Sequence, residues 1–146
     1  MNTVGQNIMK WLDKIFGSSA GADVVEDIAR LNNRARKELT FGQYEQAAAF
    51  YQRVLAIREK NLGPDHPDVG ESLLDLAGIY SELCQRELAE PLYQRALAIK
   101  EKALGPDHPD VAMILENMVA LYRKIVHEQE AESLAQRAAA IRAIKR

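Results

Sequence analysis

Leu62-Gly63-Pro64-Asp65-His66-Pro67-Asp68-Val69 returns letter for letter as Leu104-Gly105-Pro106-Asp107-His108-Pro109-Asp110-Val111. The offset is 106 − 64 = 42 residues. It holds upstream too, where Tyr51-Gln52-Arg53, Leu55-Ala56-Ile57 and Glu59-Lys60 lie over Tyr93-Gln94-Arg95, Leu97-Ala98-Ile99 and Glu101-Lys102. A fixed period of this size marks a stack of supersecondary units, none of which can bury its apolar face alone. Such arrays present surfaces to other molecules far more often than they enclose reactions, so the repeat points to binding as the class of function.

The repeated octet is a connector between helices. Gly63 suits the position just past a helix end, Pro67 suits the first turn of the next helix, where its missing N–H has no partner anyway, and Asp68 complements the positive end of the helix dipole. Apolar spacing around the connectors predicts helices over 24–40, 45–61, 67–83 and 87–103, then one from 111 and one from 130 to the chain end. Asp23 with Glu26 reads as a capping box for the first of these, with Asp27 adding charge to its first turn. Phe41-Gly42-Gln43-Tyr44 ends it through a positive φ at Gly42. Pro91 is tolerable within the first turn or so of its helix.

Adding 42 relates Gly42, Cys84 and Val126, then Ala47, Ala89 and Ala131, then Tyr51, Tyr93 and Ala135. The recurring alanines imply close helix approach. Leu73, Leu76, Ala77, Tyr80, Ala89, Tyr93, Ala96, Leu115, Met118, Val119 and Tyr122 are expected to be buried between three stacked helix pairs. Tyr93 becomes Ala135 and Leu97 becomes Ala139 in the third copy, a change expected of a helix that caps the stack.

Ahead of the repeats, Val4, Ile8, Trp11, Leu12, Ile15 and Phe16 fall at helical spacing over 3–16, an amphipathic helix. The small residues of 17–22 read as a flexible linker. The expected division is therefore 1–22 for helix and linker and 23–146 for the repeats, taken as about 27–68, 69–110 and 111–146. The apolar side of the first segment needs cover. Protein suits it better than lipid, because Lys10 and Lys14 against Asp13 make a weak basic face, which disfavours membrane contact. The cover expected first is the groove, either of the chain's own solenoid or of a neighbouring copy in a homo-oligomer, ahead of a simple cap on the first repeat.

The 146 residues are 47% hydrophobic and 27% charged, with 19 Lys plus Arg against 21 Asp plus Glu. A net charge of −2 supplies no basic face for nucleic acid. Cys84 is the one cysteine, which excludes an internal disulfide and every Cys-x-x-Cys site and accords with a reducing compartment. No apolar run approaches a bilayer span, and Lys10, Asp13 and Lys14 interrupt what would be a signal peptide's centre. A cytoplasmic location is the expectation.

Asp65-His66-Pro67-Asp68 and its copy carry ligand types that suit zinc or manganese, but their place on a connector favours capping. His127 with Glu128 lacks the second histidine of a zinc-protease helix, and no phosphate loop or nucleophile elbow occurs. No catalytic residue, metal or cofactor is expected. Cys84 reads as an inert small hydrophobe near a helix end, and the tyrosines as packing residues.

Leu76-Ala77-Gly78-Ile79-Tyr80, then Ala89-Glu90-Pro91-Leu92-Tyr93-Gln94-Arg95-Ala96-Leu97, then Leu104-Gly105-Pro106-Asp107-His108-Pro109 resembles the tetratricopeptide repeat, in the 42-residue variety of kinesin light chains and many bacterial proteins. The resemblance covers about 27–146. The first copy departs from it, with Arg34 and Glu38 where the second has Leu76 and Tyr80. It implies an all-α, right-handed superhelical solenoid of about three antiparallel helix pairs that holds a peptide or helix of another protein in a concave groove and is not an enzyme.

Opposite the apolar stripe of the second copy lie Glu71, Leu74, Asp75, Gly78 and Glu82; their counterparts are Met113, Glu116, Asn117, Ala120 and Lys124 in the third and Ala29, Asn32, Asn33, Arg36 and Thr40 in the first. By similarity to the family these positions line the groove. Their amides, mixed charges and apolar Leu74 and Met113 suit a peptide, and the carboxylates of Glu71, Asp75, Glu82 and Glu116 favour an internal, basic or neutral segment over an acidic C-terminus. The alternative function is a self-assembling or membrane-peripheral structural unit that uses the N-terminal helix.

Overall fold

The computed structural model describes the backbone of Ile8, 18–124 and 128–144, and the side chains of Ile8, 23–123 and 130–144. Among the described residues the ordered elements are all helices: α1 Ser18–Thr40, α2 Tyr44–Leu62, α3 Pro67–Glu82, α4 Arg86–Leu104, α5 Pro109–Lys124 and α6 Glu128–Ala143. The predicted helix over 3–16 lies outside the described residues except for Ile8, which is helical and half-buried. The chain forms two compact units, Met1–Asn61 and Leu62–Arg146.

In the first unit α1 begins at Ser18, so the expected linker is helical from there and Asp23 lies inside the helix rather than capping it. Gly21 costs about 1 kcal/mol against alanine in a helix interior. Ala20 and Ala22 carry no such cost, and Arg30 holds the first described turns by pairing with Glu26 and, at 3.7 Å, with Asp27. Leu31, Ala35, Ala47, Ala48, Tyr51 and Val54 form the buried side of this unit. Arg34, where the second copy has a leucine, stays exposed with its guanidinium 4.9 Å over the Phe50 ring. The departure from the repeat pattern is thus met by a cation–π contact outside the core.

α1 ends as Gly42 requires. Its φ is +70°, its N–H donates to Leu39 O at 3.0 Å, and Gln43 N–H donates to Glu38 O at 2.8 Å. That pair of bonds satisfies carbonyls the helix end leaves open. Forty-two residues later Cys84 takes the same conformation at φ +56°, with bonds of 3.1 Å to Ser81 O and, from Gln85 N–H, 2.8 Å to Tyr80 O. A cysteine therefore does a glycine's work.

In the second unit α3 pairs with α4 and α5 with α6, and α5 also touches α4 and α3. Every residue expected between the pairs is buried except Tyr80, which is half-buried. Ile79, Ile99, Ile114 and Leu121 are buried as well, because helices contacted from several sides bury more than one stripe. The connectors are capped differently from the sequence reading. His66 is the N-cap of α3, its Nδ1 accepting the Asp68 N–H at 3.1 Å, and His108 accepts the Asp110 N–H at the same distance. Pro91 is the sixth residue of α4, beyond the expected first turn; it is exposed, so water can reach the carbonyl it leaves unbonded.

A polar clasp joins the two pairs. Tyr122 of α5 donates its phenol to Glu90 of α4 at 2.7 Å, Arg86 donates Nε to the other Glu90 oxygen at 3.0 Å, and the Arg86 guanidinium lies 5.3 Å over the Tyr122 ring. Burial first, then the bond to Glu90, pushes the Tyr122 phenol up to about 12 from 10.0.

Two outcomes are expected. Cys84→Val should destabilise by about 1–2 kcal/mol, since a β-branched residue resists positive φ, while Cys84→Gly should lose nothing in urea unfolding followed by circular dichroism. Because folding raises the Tyr122 value, its contribution is full below pH 10 and should be lost as pH rises toward 12. Tyr122→Phe should flatten that alkaline loss in the same measurement.

Candidate binding surface

Packing consumes one side of each first helix and leaves the other. On α3, Ser72, Leu73, Leu76, Ala77 and Ile79 are buried, so Glu71, Asp75 and Glu82 emerge opposite them, with Leu74 and Gly78 half-buried between. On α5, Ile114, Leu115, Met118, Val119, Leu121 and Tyr122 are buried, leaving Met113, Glu116, Asn117 and Ala120 exposed. Lys124 is helical, but its side chain lies outside those described. Since α3 and α5 touch, the two strips belong to adjoining helices. In the other unit, Ala29, Asn33, Arg36 and Thr40 of α1 are exposed and Asn32 is half-buried, and the Thr40 hydroxyl donates to Arg36 O at 3.0 Å.

The fold already engages several of the expected lining residues. Glu71 accepts from Lys100 of α4, whose side chain is only 7% exposed against 54% for Glu71. A buried ammonium is tolerable only when paired, so Glu71 has a structural duty that its outward position does not reveal. Gly70 permits the close approach: a Cβ there would sit 3.3 Å from Ile99 Cγ2 and 3.6 Å from Lys100 Cε. Glu116 receives both Nε and Nη2 of Arg142 at 3.1 and 3.2 Å, which raises the arginine's pKa. Leu74 rests against the buried cluster of Ala77, Met118 and Tyr122.

Asp75, Glu82, Met113 and Asn117 are exposed members of the two strips, and Gly78 lies on the same side of α3. A Cβ on Gly78 would have no heavy atom within 4 Å. This mid-helix glycine leaves bare backbone and open space between Asp75 and Glu82.

Among the described residues no three ligating side chains gather, and His66 and His108 each commit Nδ1 to a backbone N–H. His127 lies outside the described residues. Cys84 is exposed at its helix end. No helix of the described residues is long and apolar enough to cross a membrane. The lysine–glutamate pair and the histidine caps escape the sequence reading. The histidines have a usable signal, each being the polar residue directly before the proline that opens a helix.

The tetratricopeptide repeat profile matches residues 27–102 and 73–143. BtubC (BKLC) from P. vanneervenii superposes with a TM-score of 0.73 at 28% identity, over 79% of this chain and 45% of that one. The nearly identical repeats of a kinesin light chain from Podosopora anserina superpose at 0.70 and 28%, over 80% of this chain and 55% of that one. Nephrocystin-3 of Xenopus laevis is 44% identical over 61 residues, and that of Xenopus tropicalis 46% over 59, or 42% and 40% of this chain. The matched stretch is only 4% of the length of either nephrocystin.

Proposed function

The chain belongs to the tetratricopeptide repeat family, and from that membership we propose that it is a non-enzymatic protein-binding module whose strip on α3 and α5 holds a peptide or helix of another protein. The observation that carries the reading is Gly78. A glycine in a helix interior costs about 1 kcal/mol against alanine, yet nothing within the described protein occupies the space it opens. A partner backbone or side chain can come close there, with Asp75 and Glu82 on either side and Met113 on the neighbouring helix as an apolar contact.

Charge narrows the ligand. Glu71, Asp75, Glu82 and Glu116 place four exposed carboxylates along the strip. A segment bearing lysine or arginine within its length, with one or two apolar residues, complements that balance. An acidic C-terminus does not. Asn32, Asn33 and Arg36 of α1, the corresponding positions of the first repeat, are proposed as a strip of the same kind in their own unit.

Peptides selected from a display library by the full chain should carry a basic residue and an apolar one away from their C-terminus. Asp75→Lys with Glu82→Lys, and separately Gly78→Leu, should weaken the selected peptide at least about tenfold, or 1.4 kcal/mol, with helicity unchanged. Selection of acidic peptides whose binding disappears on C-terminal amidation would overturn the assignment.

A further inference from the structure

Adding 42 relates Arg58, Lys100 and Arg142, so the second helix of every copy carries a cation at one position. In the second and third copies that cation meets a glutamate on the outward strip of the first helix. Lys100 meets Glu71, and Arg142 holds Glu116 through Nε and Nη2 at 3.1 and 3.2 Å. The counterparts of those two glutamates in the first copy are Ala29 and Asn32. The first strip therefore lacks the carboxylate that each of the others supplies from within.

The imbalance extends along α1. Between Asp27 and Glu38 this helix carries Arg30, Arg34, Arg36 and Lys37 and no carboxylate. Arg30 is paired with Glu26 and Asp27, and Arg34 lies over Phe50. Arg36 and Lys37 are exposed, and Glu38 stands two positions past Arg36, about 200° round the helix. Asn32 and Asn33 precede Arg36 by one turn and share its side of α1. Among the described residues no hydrogen bond or ion pair engages the Arg36 guanidinium or either amide, the Thr40 hydroxyl reaching only the Arg36 carbonyl. Arg58 already has an interaction within the protein, so Arg36 is the cation left for a ligand.

A guanidinium beside two amides suits a carboxylate, since its planar fork can take both oxygens while an amide N–H adds a further bond. Arg142 and Glu116 display that grip within the chain. We propose that the strip on α1 receives an aspartate or glutamate side chain from within a segment of another protein, a reading that rests on the outward strips being the peptide-binding surface. Arg36 grips the acid, with Asn32 and Asn33 beside it. The first unit thus selects a charge opposite to the one chosen by α3 and α5. Glu71 and Glu116 of a second copy are poor sources of the acid, because Lys100 and Arg142 already hold them.

Arg36→Glu reverses the cation, and Asn32→Glu installs the residue that the third copy has there. Both should keep the helical spectrum and melting temperature, as surface changes do. Display-library peptides selected by the full chain should include an acidic residue away from the C-terminus. Selection by Arg36→Glu should lose that acid and keep the basic and apolar residues. For one selected peptide, each substitution should weaken binding at least about tenfold in calorimetry. Exchanging the peptide's acid for lysine should bring Arg36→Glu back to within about threefold of the parent pair. Selections without an internal acid, or an acid whose loss costs the same in the parent chain and in Arg36→Glu, would overturn the proposal. So would self-association in light scattering that Arg36→Glu abolishes, which would assign the acid to a second copy. In all three cases the reading of α3 and α5 stands if Asp75→Lys with Glu82→Lys still weakens the peptide. A peptide indifferent to that pair of changes but sensitive to Arg36→Glu would remove the α3 and α5 reading alone.

Discussion

Ala47, Ala89 and Ala131 have no exposed surface, and every other feature of the stack depends on their being that small. Helix axes approach to roughly 8–10 Å according to the side chains at the crossing, so an alanine at the tightest point sets how near the two helices of a pair can lie. Ala77 and Ala89 are buried in one cluster with Tyr93, which packs there with Ile114, Met118 and Tyr122 of the next pair. Apolar packing accounts for the interior of the stack, and the Tyr122–Glu90–Arg86 clasp adds a polar tie at its margin.

The same constraint decides what is left for function. A helix buried against its partner and its neighbour retains one outward strip, and its chemistry is divided between holding the fold and meeting a ligand. Glu71 and Glu116 show the first use: each restrains a cation from the second helix of its own pair, Lys100 and Arg142. Gly78 shows the opposite case, a stability cost with no described residue filling the space it leaves. That contrast separates residues of one strip that spacing alone treats alike.

The fold is legible because the period repeats its own evidence. One glycine followed by an unrelated proline is weak punctuation, but the same octet twice at a fixed distance locates helix ends and starts together, and the alanine and tyrosine positions then follow by addition. What the sequence hides are contacts with no period. Lys100 reaches Glu71 across 29 positions, and although its copy Arg142 also meets a glutamate, the copy of Glu71 is Met113, so the carboxylate side has no period. Arg34 over Phe50 is similarly private to one copy. Alignment with Gly42 places Cys84 at a helix end, but its positive φ goes unread because cysteine carries no such expectation. Ser18–Ala22 misleads through composition, small residues being equally compatible with a linker and with the start of a long helix. Of the surface, the positions on α3 and α5 follow from spacing; which of them the fold has already engaged requires the second helices to be in place.

The central claim is that close approach at the repeated alanine fixes the stack, and urea unfolding of Ala89→Leu measures it directly. Forcing the larger side chain into that contact should lower stability by about 1–3 kcal/mol, with the surface exposed on unfolding, read from the slope against urea, unchanged. An unfolding midpoint equal to that of the parent chain would contradict the account.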